Sequence, residues 1–305
     1  MNFLHAIQHT SADYLGLMED HLEGRRIRFR YFRPFTEQGT IPQPGELSDG
    51  LVLLGGGPWG SAGDRNVPTL DDEITLTRAM LDQGKPVLGI GLGAQILAIA
   101  AGGGSQPAPL AFEVDHGRRV VPDALGGFLP ERFPHVVYMR DRPVLPESAR
   151  VLALDAKDRP AVFEVAPNAI GLTGHPGFKT AMAEDLIMEF EEVPAGVPAE
   201  LETLRGLQPS IEDQLVPMMT GLVQCTALMT APKAADPAAR ELKAAVARAI
   251  DELPEKQRLC LLLFSVEGLP QKEVAQILDC TVELVKWNVF QARKTAEPAS
   301  RFTRL

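Results

Sequence analysis

The sequence predicts a doubly wound, mostly parallel α/β sheet followed by an all-α helix-turn-helix region. Over about the first 180 residues, short apolar runs alternate with helically spaced segments, the pattern of buried strands under crossover helices. Two of those runs end in glycine-rich turns, Gly55-Gly56-Gly57-Pro58 and Gly89-Ile90-Gly91-Leu92-Gly93, as a strand needs where a helix packs closely back onto it. Beyond Pro176 the texture becomes helix-rich.

The elements follow in order. Asp49–Leu54 reads as a short buried strand, and Leu70–Gln83 has helical spacing with Ile74, Met80 and Leu81 directed to a core. Pro86–Ile90 is the next strand, and Ala94–Ala101 continues as a helix until Gly102-Gly103-Gly104 stops it. Further strands are expected around Val136–Tyr138, Val151–Ala153, Ala161–Val165 and Ala169–Thr173. Thr180–Glu192 and Ile211–Met229 read as amphipathic helices, with Pro194 and Pro198 between them and Pro217 kinking the second or opening its first turn. Ala231–Pro237 is an Ala/Pro linker, and 238–296 is helical in pattern.

Composition narrows the class. A chain of 305 residues with 45% hydrophobic content supplies cores for two domains. No run approaches the roughly 18 apolar residues of a membrane span, and the N-terminus lacks the charged and apolar regions of a signal peptide. Cys225, Cys260 and Cys280 form an odd, sparse set without metal-type spacing, which suits a reducing cytoplasm. The net charge is −10, yet from Asp236 onward there are 11 basic and 10 acidic residues. DNA binding must therefore rest on motif and local charge rather than on bulk charge.

Lys85-Pro86-Val87-Leu88-Gly89-Ile90-Gly91-Leu92-Gly93-Ala94-Gln95 resembles the nucleophile elbow of class I glutamine amidotransferases, in the branch of the GMP synthetase glutaminase. His9, Gly16 and the Gly55–Pro58 turn fall where that family has its first strand, first helix and oxyanion-stabilising loop, and Gly171-Leu172-Thr173-Gly174-His175-Pro176-Gly177 aligns with its histidine-bearing motif. The resemblance implies a flavodoxin-like sheet over residues 1–195. It also implies where a thiolate, its base and an orienting carboxylate would sit. Only the base, His175, is retained: Gly91 stands at the nucleophile and Gly177 at the orienting glutamate, and no cysteine precedes Cys225. Tyr138-Met139-Arg140-Asp141 also departs from the family's substrate-side pattern. The expectation is an inactive amidotransferase-like domain, not an enzyme, with Gly56, Gly57, Gln95 and His175 lining a residual ligand pocket.

A rival reading is dinucleotide binding. Gly89 to Ala94 satisfies Gly-x-Gly-x-x-Ala, backbone N–H groups there would cradle phosphate, and Glu113 lies about 20 residues on. The flanking residues fit the amidotransferase order better, so no cofactor and no metal are expected.

Residues 241–295 resemble region 4 of extracytoplasmic-function sigma factors. The resemblance runs from Ala247–Arg258 through Gln271–Leu278 and the turn Asp279-Cys280-Thr281 to a recognition helix over Val282–Lys294. Val274, Ala275, Leu278, Val282, Val285 and Val289 form the apolar seam that packs two helices across a short turn. Glu283, Lys286, Trp287, Asn288 and Gln291 are the outward positions, Asn and Gln suiting adenine, and Lys286, Arg293 and Lys294 suiting phosphate. Two arginines of the family pattern are replaced by Asn288 and Gln291, which weakens the phosphate contribution.

The expected organisation is an amidotransferase-like domain over 1–195, a helical connector and linker over 196–237 and a region 4-like domain over 238–305. The expected function is a cytoplasmic transcription regulator that binds DNA or RNA polymerase through its C-terminal domain. The N-terminal domain would sense a small molecule or form a homo-oligomer. Two alternatives stay open. One is a sigma mimic that captures an anti-sigma-like protein, and the other is an enzyme with altered chemistry around His175.

Overall fold

A computed structural model describes residues 3–47, 49–226, and, further on, 253–254, 256–258, 260, 274–275, 277–278, 280–282 and 284–289. The chain divides into two compact units, 1–230 and 231–305. Eleven strands and five α-helices are seen among the described residues of the first unit. They are β1 (Phe3–Ile7), α1 (Met18–Gly24), β2 (Arg28–Phe32), β3 (Gly50–Leu53), α2 (Leu70–Asp82), β4 (Val87–Ile90), α3 (Leu92–Ala100), β5 (Gly104–Gln106), β6 (Ala111–Arg119), β7 (Arg132–Met139), β8 (Arg142–Val144), β9 (Arg150–Leu154), β10 (Pro160–Ala166), β11 (Ala169–Leu172), α4 (Thr180–Glu189) and α5 (Val197–Cys225).

Nine strands form one sheet in the order β2-β1-β3-β4-β11-β10-β9-β6-β7. The first five are mutually parallel, as expected. From β11 onward every pairing is antiparallel, so the doubly wound half carries an antiparallel extension.

Alternation along each strand explains the two covered faces, because successive side chains point to opposite sides. Leu4, Ala6, Val52, Leu54, Leu88 and Ile90 point to one side, where they meet Met18 and Leu22 of α1 and Leu215, Met218 and Leu222 of α5. Ile7, Leu51, Leu53 and Val87 point to the other, under Leu76 and Met80 of α2 and Ile96 and Leu97 of α3. On the extension, Phe112, Val136 and Tyr138 pack against Met182 and Leu186 of α4 and Leu204 and Ile211 of α5.

The region expected to be a connector is corrected by this packing. Its 29-residue helix α5 starts well before Ile211 and keeps Pro209 and Pro217 inside it. A helix of that length spans about 43 Å, enough to place its N-terminal half on the extension core and its C-terminal half on the α1 face. The first unit thus includes Val197–Cys225, and the Ala231–Pro237 linker lies outside the described residues.

In the second unit, Cys260, Val274, Ala275, Val285 and Val289 are buried together, with Leu278, Cys280 and Val282 against them. All six positions of the expected seam are in that cluster. The Thr281 hydroxyl accepts the Leu284 N–H at 3.2 Å, which caps the helical segment containing 284–289. No helix among the described residues is long and apolar enough to cross a membrane.

If α5 belongs to the first core, Leu222→Ala destabilises that unit by about 2–5 kcal/mol, the cost of a large-to-small change in a packed interior. Urea unfolding followed by tryptophan fluorescence reads this. A loss below about 0.5 kcal/mol, the range of surface substitutions, contradicts it.

Candidate active site

The strand-to-helix turn between β4 and α3 has the geometry of an elbow. Gly91 has φ +58° and ψ −114°, a conformation that L side chains rarely adopt, and its N–H donates to Leu172 O at 2.9 Å. A Cβ at this position would lie 3.3 Å from Gly55 Cα. Gly93 is pinned as tightly, since a Cβ there would sit 2.1 Å from Leu53 O. The turn keeps the form that presents a nucleophile, and the residue it presents has no side chain.

The histidine beyond β11 is held in a fixed state. His175 Nδ1 accepts the Gly177 N–H at 3.1 Å, so Nε2 carries the proton and donates to Tyr14 O at 2.8 Å. Burial pushes its pKa down to about 4, so the ring is neutral at ordinary pH. Both nitrogens are engaged by backbone, which leaves no lone pair for a general base. A Cβ at Gly177 would meet Met18 N at 3.0 Å and Leu17 N at 3.2 Å, so the α1 entry stands where an orienting glutamate would start.

The four residues expected to line a ligand pocket are buried in packing instead. A Cβ on Gly56 would lie 2.5 Å from Leu92 Cδ2, and one on Gly57 would lie 3.0 Å from Phe190 Cε2. Gln95 is fully buried, its Oε1 accepting from Ser61 Oγ and its Nε2 donating to Arg140 O at 2.6 Å. The departures at Arg140 and Asp141 serve the same loop. Arg140 Nε donates to Pro58 O at 2.7 Å, and the Asp141 carboxylate accepts the N–H groups of Ser61, Ala62 and Ala108 at 2.9–3.0 Å. Arg140 and Asp141 tie down the Pro58–Ala62 loop, and Gly56, Gly57, Gln95 and His175 meet protein atoms rather than a ligand pocket, which corrects that expectation.

Beneath the Gly55 turn lies a buried polar cluster that sequence reading did not assemble. His9 Nε2 lies 2.8 Å from Glu73 Oε2, its Nδ1 lies 2.9 Å from Gly55 O, and Thr69 Oγ1 donates to Glu73 Oε1 at 2.6 Å. Burial alone would lower the His9 pKa, but the charge and hydrogen bond of Glu73 outweigh it and raise it, so both ring N–H groups donate. Asp13 is buried beside this pair with Oδ1 unpartnered, and desolvation raises its pKa to about 7. His9 and Glu73 are 64 residues apart, so no local motif could have joined them.

The dinucleotide reading fails on topology. Glu113 lies on β6, separated from β4 by β11, β10 and β9. Four inter-strand steps amount to about 19 Å, too far for a carboxylate to serve a ligand at the Gly91 turn. Glu113 instead accepts from Lys157 at 3.0 Å and Arg159 at 2.5 Å. Among the described residues, the ligand-type atoms of Asp115, His135 and Asp155 come within 4.8 Å of one another. They bond within the protein: His135 to Asp115 and Thr173, and Asp155 to Arg159 and two backbone N–H groups.

On the second unit, Lys286 and Trp287 are exposed as expected, Trp287 at 53%. Asn288 is a correction: it is 5% exposed, next to the Val285–Val289 seam, and hydrogen-bonds to the Cys260 thiol. Ile277 and Leu284 are exposed at 59% and 39%. Glu283, Gln291, Arg293 and Lys294 lie outside the described residues.

The family model for glutamine amidotransferase class-I matches residues 18–188, more than half of the chain. The chain belongs to the class-I glutamine amidotransferase family. Solved relatives share its fold. A glutamine amidotransferase from Thermotoga maritima is 24% identical with a TM-score of 0.62, covering 74% of this chain and 98% of that one. A glutamine amidotransferase from Methylobacillus flagellatus is 19% identical with a TM-score of 0.62, covering 74% and 95%. The family model for sigma-70, region 4, matches residues 243–295. The ECF RNA polymerase sigma-E factor of Escherichia coli K12 is 39% identical over 57 residues, 19% of this chain and 30% of that protein. The RNA polymerase sigma-H factor of Pseudomonas aeruginosa is 36% identical over 59 residues, 19% and 31%. The chain therefore spans under a third of the length of these curated relatives. A region 4-like segment is fused to the amidotransferase fold.

Two outcomes follow for this family member. Gly91→Cys restores no glutaminase activity, since neither a base nor its carboxylate returns with the thiol; ammonia release from glutamine by that variant would contradict the geometry of His175. Asp13 gives a pH signature. The folded chain keeps its proton up to about pH 7, whereas the unfolded chain releases it near 3.8. The contribution of Asp13 to stability is therefore full at acid pH and falls as pH rises from about 4 to 7. Asp13→Asn flattens that slope in urea titrations, and an unchanged slope would show that Asp13 ionises freely in the fold.

Proposed function

We propose that this protein is a regulator of transcription whose region 4-like unit engages promoter DNA or RNA polymerase, and whose amidotransferase-like unit senses rather than hydrolyses. The match of residues 243–295 to sigma-70 region 4 carries the first part. In such helix-turn-helix units the second helix meets the major groove while flanking cations hold phosphates. The absent thiol at Gly91 and the doubly engaged ring of His175 support the second part. They also speak against the altered-chemistry alternative, which needs a His175 nitrogen free to act.

The face of the second unit favours a second reading. Ile277, Leu284 and Trp287 are exposed apolar groups, and Asn288, suited to reading adenine, is turned inward. Among the described residues, an outer face that exposes Ile277, Leu284 and Trp287 suits a protein partner of the anti-sigma kind, which the region 4 shape would mimic.

A gel shift with promoter fragments, with and without core polymerase, distinguishes the two. Salt-sensitive binding lowered by Lys286→Ala supports direct DNA engagement. Absence of any shift in either condition, with an anti-sigma protein captured and Trp287→Ala weakening that capture by about 2 kcal/mol or more, supports the mimic and overturns the first reading.

A further inference from the structure

The antiparallel extension has a second face that neither the amidotransferase chemistry nor the region 4 unit uses. Val136 and Tyr138 of β7 point into the α4 and α5 core. By strand alternation His135, Val137 and Met139 point the other way, in register with Asp115, Glu113 and Ala111 of β6. A cavity of about 240 Å³ opens on that side. Its volume lies just under the roughly 300–1,000 Å³ of drug-sized ligand sites, so it suits a small metabolite rather than a nucleotide.

Its wall divides by chemistry. Val137, Met139, Pro143 and Pro160 give it an apolar side. Arg142, Arg159 and Asp155 supply two guanidiniums against one carboxylate. The Asp155 oxygens are already engaged by the Lys157 and Arg159 N–H groups at 2.8 Å and by Arg159 Nε at 2.6 Å. Behind the wall, Glu113 is shared among Arg159 at 2.5 Å, Lys157 at 3.0 Å and Arg142 at 3.6 Å. Cations exceed carboxylates; Arg142 Nη1 donates to Asp141 O at 2.6 Å and Met139 O at 3.3 Å, while its Nη2 stands 3.6 Å from Glu113, beyond a hydrogen bond, and is the nitrogen that an anion would meet.

Thr173 adds a directional feature. Its Oγ1 lies 3.1 Å from His135 Nε2 and 3.1 Å from Pro160 O, and His135 Nδ1 lies 3.0 Å from Asp115 Oδ1. If His135 carries its proton on Nδ1, Nε2 accepts the Thr173 hydroxyl proton. If it carries one on Nε2, that N–H donates to Thr173, which in turn donates to Pro160 O. In both arrangements the hydroxyl proton is used inside the protein, and the oxygen keeps at least one lone pair. Thr173 offers the cavity an acceptor and no donor.

We propose that this cavity binds a small carboxylate with a short aliphatic body and a hydrogen-bond donor near the carboxylate, that is, a hydroxy or amino acid. The carboxylate meets the guanidiniums, the aliphatic body meets Val137 and Met139, and the hydroxyl or ammonium donates to Thr173. The biological meaning of this site rests on the sensing role proposed above, whereas its occupancy does not.

Titration calorimetry of the full chain with three matched probes tests the assignment: 2-hydroxy-3-methylbutanoate, L-valine and 3-methylbutanoate, with inorganic phosphate as a fourth arm. At least one of the two donor-bearing probes should bind about tenfold more tightly than 3-methylbutanoate, the equivalent of one hydrogen bond. Which one wins separates hydroxy from amino acid. Thr173→Val should abolish that preference, and Arg142→Gln should weaken every carboxylate about tenfold or more. Val137→Phe fills the cavity and should remove binding; near-UV circular dichroism verifies its fold, and Arg142→Gln gives the same reading from a polar position if Val137→Phe unfolds. No saturable binding, equal affinity for the three acids, tighter binding of phosphate, or affinity unmoved by Arg142→Gln overturns the proposal. The effect of the bound acid on DNA or polymerase affinity is read separately, and binding without such an effect overturns the sensing role while leaving the site in place.

Discussion

The close approach of two backbones, the Gly55 turn after β3 and the Gly91 turn after β4, is the constraint around which the first unit is arranged. The 3.3 Å that separates Gly55 Cα from a Cβ placed on Gly91 leaves the helix entry no room for a larger group without movement of the neighbouring loop. That loop is in turn fixed from below and from above. Asp13 lies against Gly55 so closely that a Cβ there would sit 1.9 Å from its Oδ2, and His9 holds the Gly55 carbonyl. Arg140 holds Pro58, and Asp141 gathers the N–H groups of Ser61 and Ala62. The turn is needed for packing whether or not it presents a nucleophile. Catalytic side chains can therefore be lost without loss of the elbow, because the geometry belongs to the backbone and to the small residues that permit it.

What could be read from sequence divides along the same line between local and assembled features. The parallel half of the sheet, the two glycine turns and the apolar seam of the second unit rest on periodicity and on residues close in the chain, and each is present at its expected position. β1, β2 and β6 carry weaker signals, while β7 is expected only in its Val136–Tyr138 part. Charged and aromatic residues alternate in Arg28–Phe32, and Ala111–Arg119 mixes Glu113, Asp115 and His116 with Phe112 and Val114. Such strands resemble exposed loops until a partner is known, and β-pairing is decided by that partner. Helix α5 misled for a different reason. Pro217 reads as a kink or a first turn and the helix is expected only from Ile211, yet Pro209 is exposed and Leu204, Ile211 and Leu215 are buried, so tertiary burial on one stripe outweighs the two backbone bonds missing at Pro209 and Pro217.

The candidate site shows the same limit more sharply. Gly91, His175 and Gly177 were identifiable because family motifs are local. The state of His175 was not, since it depends on a carbonyl 161 residues away at Tyr14. Asn288 is similar. At sequence level it occupies an outward position of a recognition helix, and only the burial of Cys260 beside it shows that the inner side is wider than an ideal stripe. The cavity draws Val137 from β7, Arg142 from β8 and Thr173 from just after β11, segments with no common motif, and a ligand site built that way has no linear signature.

These observations bear jointly on how a fold changes use. The space around the elbow is filled by protein atoms. Leu92, Leu186 and Phe190 face the glycine loop, and Gln95, Arg140 and Asp141 now bond to protein atoms. Filling a pocket with apolar contacts and satisfied polar groups adds to stability, whereas an empty polar pocket lowers it. A pocket without an occupant is thus driven to close. By that reasoning a binding function is to be sought where charge stays unbalanced beside open space, and the cavity wall with Arg142 and Arg159 against Asp155 meets that description. Such an arrangement costs stability in the free protein, and an occupant with a carboxylate and a donor would offset that cost.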